Sequence, residues 1–347
     1  MKRYFGLQTI IGLLCGLGVT LAAGAPGAVA GPVLLFEPAT GQVLYAEEAD
    51  QAWYPASLTK LMTAYLTFEA VKSGKLAWDG PVPLSAKARG QPATRIGLKA
   101  GIPLNVEQAV RGLILRSAND FAMALAELIG GSEEGFADLG NAAAKRLGMS
   151  RTHFKNPHGL PDPEQMTTAR DLAILTMAIL KDFPDRAEVF STQDVRIHKG
   201  SFHSQNDLLR TFEGADGMKT GFTCGAGYNV VASATRNGRK LVAVVLGALT
   251  RVTRSQRASE LLQTGFDHID GKVPPEGKPA LVPVALADLA LNPADAGAVH
   301  DMSRATRTSK CGNRGGEPRA IAAKRPATAK LLPKRVAPVA ATGATAR

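Results

Sequence analysis

Asn237-Gly238, set between the β-branched runs Tyr228 to Thr235 and Leu241 to Leu246, constrains the fold of this chain more than any other feature. Asn-Gly supplies the two positive-φ positions of a tight hairpin turn whose twist matches its strands, so these runs must pair antiparallel. A second hairpin is expected far upstream, where Pro32-Val33-Leu34-Leu35-Phe36 and Gly41-Gln42-Val43-Leu44-Tyr45 flank the turn Pro38-Ala39-Thr40-Gly41. Between the hairpins the apolar period is helical: Ser57 to Val71, Val106 to Ile129, Glu133 to Leu147 and Thr168 to Leu180. Thr168 opens the last of these, with Asp171 three residues on as a variant capping box. A further helix is expected from Arg254 to Phe266. A hairpin at each end with helices between predicts a mixed α/β (α+β) fold: an antiparallel sheet flanked by helices, with an inserted helical subdomain.

With 45% hydrophobic residues in 347, the chain can bury a sizeable core. Its net charge of +11 suggests a nucleic-acid partner until the charge is located. Residues 1–30 carry Lys2 and Arg3 with no acid, residues 301–347 carry a net +9, and residues 31–300 are neutral. No basic face for nucleic acid is expected on the globular part. The N-terminus joins a cationic start to an apolar run and ends in Ala28-Val29-Ala30, the layout of a cleavable export signal. An uncleaved membrane anchor is the alternative. Residues 31–271 are expected to form one globular domain, and residues 272–347 a basic, Pro- and Ala-rich tail with no sustained period, expected to be mostly disordered. A small β module around Leu281 to Leu291 is the alternative there. Beyond the export segment, Cys224 and Cys311 are too few for a disulfide scaffold. They are read as free thiols, since Cys311 falls in the tail, with a single bridge as the other possibility.

Ser57-Leu58-Thr59-Lys60 opens a helix, where positions i and i+3 share a face and the Lys60 amine can reach the Ser57 hydroxyl. Free N–H groups at the helix start favour negative charge developing near Ser57. A neutral Lys60 could then serve as general base if burial or neighbouring cations lower its pKa. The motif alone is weak, because about one Ser-x-x-Lys is expected by chance in such a chain. Ser-x-Asn occurs twice, as Ser117-Ala118-Asn119 and Ser204-Gln205-Asn206. The first interrupts a long apolar helical pattern, which suits either a cleft wall or an interhelical turn. Lys219-Thr220-Gly221 is rarer and precedes the strand pair, where Lys219 offers positive charge, Thr220 a hydroxyl and Gly221 room for a substrate backbone.

The ordered set Ser57-x-x-Lys60, Ser117-x-Asn119 and Lys219-Thr220-Gly221 resembles the low-molecular-weight penicillin-binding proteins, the serine D-Ala-D-Ala carboxypeptidases of peptidase family S11. The likeness runs from about Gly31 to Phe266 and includes Pro55-Ala56-Ser57-Leu58-Thr59-Lys60-Leu61-Met62-Thr63, Asn156-Pro157-His158-Gly159-Leu160 and Asp216-Gly217-Met218-Lys219-Thr220-Gly221. The resemblance implies a β-lactamase/transpeptidase-like fold. It implies that Ser57 attacks the carbonyl between two D-alanines at the end of a peptidoglycan stem peptide, with Lys60 taking its proton. Ser117 would relay protons, Asn119 would hold the substrate amide, and Lys219, Thr220 and Arg254 would face the terminal carboxylate. The amides of Ser57 and Phe222 would form the oxyanion hole. Covalent trapping by β-lactam antibiotics is implied as well.

Other residues carry less. His158 is more readily a loop histidine tied to backbone than a second base. Cys224 is more readily a wall residue than a reactive thiol. No spacing of His or Cys suggests a metal, and no cofactor is expected. A β-lactamase of class A would need a water-activating Glu-x-x-Leu-Asn, whereas Glu164 is followed by Thr167-Thr168. DD-endopeptidase action would use the same residues, and a non-catalytic wall-binding protein would be expected to have lost Ser57, Lys60 or Lys219. The last residues lack an amphipathic period, so the tail offers at most weak ionic contact with anionic lipid or wall polymer.

Overall fold

The computed structural model describes residues 31–272, 281, 283–289, 299–302 and 311. Residues 1–30, where an export signal is expected, and most of residues 272–347 lie outside the described residues.

Strands β1 (Val33–Glu37) and β2 (Gln42–Glu47) form the upstream hairpin. A 3-10 turn, Ala56–Thr59, leads into α1 (Lys60–Lys72), followed by α2 (Ala86–Arg89), α3 (Val106–Leu115), α4 (Asn119–Gly130), α5 (Glu133–Leu147), α6 (Ala169–Asp182) and α7 (Glu188–Ser191). A separate hairpin, β3 (Asp194–Ile197) with β4 (Gly200–His203), and α8 (Leu208–Thr211) precede β5 (Ala215–Thr223), β6 (Gly227–Arg236) and β7 (Arg239–Ala248). The chain continues into α9 (Arg251–Ile269) and β8 (Val284–Ala285). The main sheet has the order β5-β6-β7-β1-β2-β8, with every neighbouring pair antiparallel.

The turn between β6 and β7 is the one expected, with φ of 50° at Asn237 and 76° at Gly238. Strand β7 reads as a continuous apolar run because both of its faces are buried. Leu241, Ala243 and Val245 pack with Ala258, Leu262 and Phe266 of α9, while Val242, Val244 and Leu246 join the core under the helical subdomain. At about 1.5–3 kcal/mol per fully buried Leu or Val side chain, these two faces hold the halves of the molecule to one sheet.

The pattern from Val106 to Ile129 is two helices rather than one. They part at Ser117, whose φ is 60°, and a Cβ on Gly112 would lie 2.7 Å from the Phe121 ring, so α3 and α4 pack closely. At the start of α6 only half of the expected capping box forms. The Thr168 hydroxyl accepts from the Asp171 amide at 3.0 Å, but the Asp171 carboxylate accepts from the Arg151 amide at 2.9 Å and the Thr152 hydroxyl at 2.7 Å.

Two expectations about the C-terminal region are corrected among the described residues. Cys224 and Cys311 are not free thiols; they form a disulfide across 87 residues of sequence. Residues past Lys272 also pack onto the domain. Val284–Ala285 pairs with β2, and Arg170, bidentate to Asp50 at 2.6 and 2.8 Å, donates to the Leu286 and Leu289 carbonyls, each at 2.9 Å. Leu281, Leu286 and Met302 are buried, which gives this stretch apolar surface to hide that its lack of periodicity concealed.

Candidate active site

Strand β5 is an edge of the sheet, and its pleat sends alternate side chains to opposite faces. Lys219 lies opposite Val231, a residue of the core on the helical side, and Thr220 opposite Val230, a residue of the core against α9. Gly221 faces the 3-10 turn that carries Ser57: a Cβ there would lie 3.1 Å from the Ser57 amide nitrogen and 3.2 Å from the Pro55 carbonyl. Only a residue without a side chain lets the strand approach the nucleophile this closely. Asn229 on β6 secures the turn from behind. Its Nδ2 donates to the Tyr54 and Pro55 carbonyls at 3.0 and 3.2 Å, and its Oδ1 accepts from the Gly247 amide at 2.9 Å.

The opposite wall is the loop Asn156-Pro157-His158-Gly159-Leu160. Asn156 shapes it by accepting from the Gly159 amide at 2.8 Å and donating to the Leu160 carbonyl at 3.1 Å. The Thr63 hydroxyl of α1 donates to the Pro157 carbonyl at 2.7 Å. Gly159 has φ of 81°, and a Cβ there would fall 1.8 Å from the Ala56 carbonyl oxygen.

Ser57 is partly exposed, while Lys60 beneath it is fully buried. Lys60 Nζ lies 3.1 Å from Ser57 Oγ, 2.8 Å from Asn119 Oδ1 and 2.5 Å from the His158 carbonyl oxygen. Burial, followed by the positive charge of Lys219, holds Lys60 well below the ordinary lysine range, with the Asp120 carboxylate opposing. A neutral amine has two hydrogens and one lone pair. The His158 carbonyl can only accept, and the Asn119 amide is oriented by its Nδ2, which donates to the Pro92 carbonyl at 3.0 Å. When Lys60 is neutral, both of its hydrogens go to these acceptors and the lone pair is left for the Ser57 hydroxyl proton; when protonated, it donates to Ser57 Oγ as well.

Lys219 is fully buried and donates to its neighbour's Thr220 carbonyl at 2.9 Å. Burial and then the charge of Arg254 bring its pKa down to about 7. Arg254, in the first turn of α9, is brought to about 10, chiefly by burial, and stays charged at neutral pH. One of its amino nitrogens lies 3.7 Å from Asp207, and its Nε has no hydrogen-bond partner among the described residues. Two buried cations that Asp207 only partly offsets make this end of the cleft favourable for an anion.

Ser117 is brought beside the group through Asn119 but is hydrogen-bonded to neither lysine. Its hydroxyl is buried without a partner among the described residues. Phe222 is half-buried against Tyr228, with ring centroids 4.2 Å apart. The competing Ser204-Gln205-Asn206 serves a turn: Ser204 Oγ accepts from the Asn206 amide, and Asn206 Nδ2 donates to the Gly217 carbonyl at 3.0 Å, supporting β5. Glu164 is exposed and paired with Lys155 at 2.9 Å, away from any role in activating water at Ser57.

His158 enters the site through its backbone. Its ring, held at a pKa of about 3 by burial and by Lys60 and Lys87, accepts from the Leu160 amide through Nδ1 and is neutral. The sequence offered no signal for that carbonyl contact, nor for Asn229. Asp120, next to Asn119, caps the Ile96 and Gly97 amides and places a carboxylate near Lys60.

Residues 20–250 match the family model described as D-alanyl-D-alanine carboxypeptidase, peptidase S11. The chain is 39% identical over 257 residues to D-alanyl-D-alanine carboxypeptidase DacC of Escherichia coli K12, covering 72% of this chain and 64% of that protein. It is 37% identical to DacA of Haemophilus influenzae, covering 71% and 64%. The match thus spans under two thirds of these relatives' length. Among solved structures, penicillin binding protein 5 from Haemophilus influenzae superposes with a TM-score of 0.67 at 37% identity, over 70% of this chain and 72% of that one. Penicillin-Binding Protein D2 from Listeria monocytogenes, in a cefotaxime-bound form, gives 0.63 at 33% identity, over 70% of this chain and all of that one. With its sheet order, its serine and lysine pair and these matches taken together, the chain belongs to the D-alanyl-D-alanine carboxypeptidase family, peptidase S11.

Proposed function

We propose that this chain is an exported serine D-alanyl-D-alanine carboxypeptidase that removes the terminal D-Ala from peptidoglycan stem peptides. The observation that carries the reading is the position of the buried Lys60 Nζ, 3.1 Å from Ser57 Oγ and within hydrogen-bond reach of two acceptors, the His158 carbonyl and Asn119 Oδ1, which in the neutral amine take both hydrogens and leave the lone pair to Ser57. Ser57 Oγ attacks the carbonyl carbon between the two D-alanines while Lys60 takes its proton. The developing oxyanion is bound by the Ser57 and Phe222 amides. The C–N bond breaks, and the proton passes to the leaving amine of D-Ala by way of Lys60 and Ser117. Water then attacks the ester on Ser57, with Lys60 again as base, and releases the shortened peptide.

Lys219, Thr220 and Arg254 receive the terminal carboxylate, and Asn119 also meets the substrate amide. A β-lactam presents its strained amide to the same groups and remains on Ser57. Penicillin-Binding Protein D2 from Listeria monocytogenes, solved in ampicillin- and cefotaxime-bound forms, supports that part of the reading. Export is supported by the apolar N-terminal run before Ala28-Val29-Ala30 and by the disulfide, which persists in oxidising compartments. Ionic contact of the basic tail with membrane or wall is part of the same proposal.

The test is release of free D-alanine from a pentapeptide ending in D-Ala-D-Ala, by the purified protein and by Ser57→Ala. Release by the first and none by the second supports the reading, and equal release from both removes Ser57 as nucleophile.

A further inference from the structure

The disulfide ties the C-terminal region to the strand that carries Lys219-Thr220-Gly221. Cys224 follows β5 directly, and its partner Cys311 lies nine residues beyond Met302 in sequence. Within that region His300 to Met302 pack against Trp53 and Gly225, and Asp301 shares a cavity with Tyr54, Pro55 and Ala56, the residues that precede Ser57. The His300 ring stacks on Trp53 at 5.2 Å between centroids. The Met302 amide donates to the Gly225 carbonyl at 2.8 Å, and the Met302 side chain is buried in the main core. A Cβ on Gly225 would lie 3.3 Å from Asp301 Oδ1 and 3.4 Å from the Tyr54 ring, so Asp301 sits against the strand's end.

These contacts border a cavity of about 50 Å³ that is open to solvent, lined by Tyr54 and Ala56, by Leu160 and Pro163 of the facing loop, and by Thr223 and Asp301. Its position relative to the reaction follows from the direction of β5. Lys219 and Thr220 precede Gly221, which abuts the Ser57 amide, and Thr223 follows it. A peptide whose carboxylate lies at Lys219, Thr220 and Arg254, and whose scissile carbonyl lies at Ser57, can extend its remaining residues only toward Thr223. At about 3.3 Å per residue along a strand, the cavity stands beside the residues preceding the terminal pair.

We propose that the segment His300 to Met302, tethered by the Cys224–Cys311 disulfide, is the wall of a subsite that recognises the part of a peptide substrate preceding its terminal D-Ala-D-Ala. The wall is supplied by the chain's own C-terminal region, held by the His300–Trp53 stack and the buried Met302 and joined to the end of β5 by the disulfide. Tyr54, Leu160, Pro161 and Pro163 give the subsite apolar surface for side-chain methylenes. Contacts made there, remote from the bond that breaks, position that bond against Ser57. The proposal rests on the carboxypeptidase reading above.

The experiment compares the full-length protein with Cys311→Ala, which opens the tether without altering a residue of the cleft. Three probes are used: a pentapeptide ending in D-Ala-D-Ala, N-acetyl-D-Ala-D-Ala, and benzylpenicillin. The expected result is a loss of roughly tenfold or more in kcat/KM for the pentapeptide, with the dipeptide and penicillin acylation within about twofold of the parent. Treating the parent with a reductant that opens the disulfide should reproduce that pattern and leave Cys311→Ala unchanged, which separates release of the segment from a folding defect of the variant. Equal losses with all three probes, or no loss with any, would overturn the subsite while leaving the carboxypeptidase reading intact. A parent protein inert toward all three would overturn the carboxypeptidase reading and the subsite with it.

Discussion

Asn119 holds Lys60 by its side-chain oxygen, at 2.8 Å, because its nitrogen is engaged by the Pro92 carbonyl at 3.0 Å. The orientation of one amide thus decides which way the lysine lone pair points. Asn119→Asp replaces the amide by a carboxylate beside Lys60. The added negative charge favours the protonated lysine and abolishes the donor to Pro92. Acylation by labelled penicillin is expected to fall about 100-fold or more near neutral pH, with partial recovery as pH rises and Lys60 loses its proton. Rates that match the parent across pH would contradict the role given to Asn119.

Lys219 couples pH to stability. Its pKa is about 7 in the folded protein against an ordinary lysine value near 10.4 in the unfolded chain. Between those values the unfolded chain binds the extra proton, so stability contributed at this site rises with pH from about 7 upward. Below about 7 both states are protonated and the folded protein carries the cost of a buried charge. Lys219→Met removes this dependence. The difference in Tm between parent and variant should move in the parent's favour by a few degrees between about pH 6.5 and 9, from a differential on the order of 2 kcal/mol. A difference that does not change with pH would show that Lys219 keeps an ordinary pKa.

His158 contributes its carbonyl oxygen, and its ring is already neutral at working pH, with a pKa of about 3. His158→Gln should therefore leave the pH at which the acid limb of kcat/KM falls unchanged, even where the plateau drops through loss of the Leu160 contact. A shift of that limb by a unit or more would make the imidazole a titrating participant.

Gly159 combines a φ of 81° with direct backbone contact to the turn bearing Ser57. Gly159→Ala costs about 1–2 kcal/mol for the left-handed backbone alone, and its Cβ must displace the Ala56 carbonyl. Both thermal stability and the rate of Ser57 acylation should fall. An acylation rate equal to the parent's in folded variant would mean that the loop does not set the position of the nucleophile.

The parts of the fold and site legible in the sequence are those encoded over short distances. Asn237-Gly238 marks its hairpin because two adjacent residues must adopt positive φ, and Ser57 reaches Lys60 because both stand on one turn of helix. The Ser-x-Asn triplet alone does not separate Ser117-Ala118-Asn119 from Ser204-Gln205-Asn206; the break in an apolar helical pattern and the order of the motifs favour the first, and it is Asn119 that makes the tertiary contact with Lys60. The His158 carbonyl was invisible because backbone oxygens are common to every residue. Asn229 binds Tyr54 across 175 positions, a pairing no local window contains. The disulfide stood only as the second possibility for the same reason, since the burial of Leu286 and Met302 on the domain leaves no periodic trace.

The account turns on the protonation of one nitrogen. In protein carrying lysine labelled with 13C at Cε, the Lys60 resonance, assigned by its absence from Lys60→Arg, can be followed through a pH titration. The expected result is an amine that loses its proton well below the range of the exposed lysines in the same spectrum. A Lys60 that titrates together with them would leave Ser57 without its base.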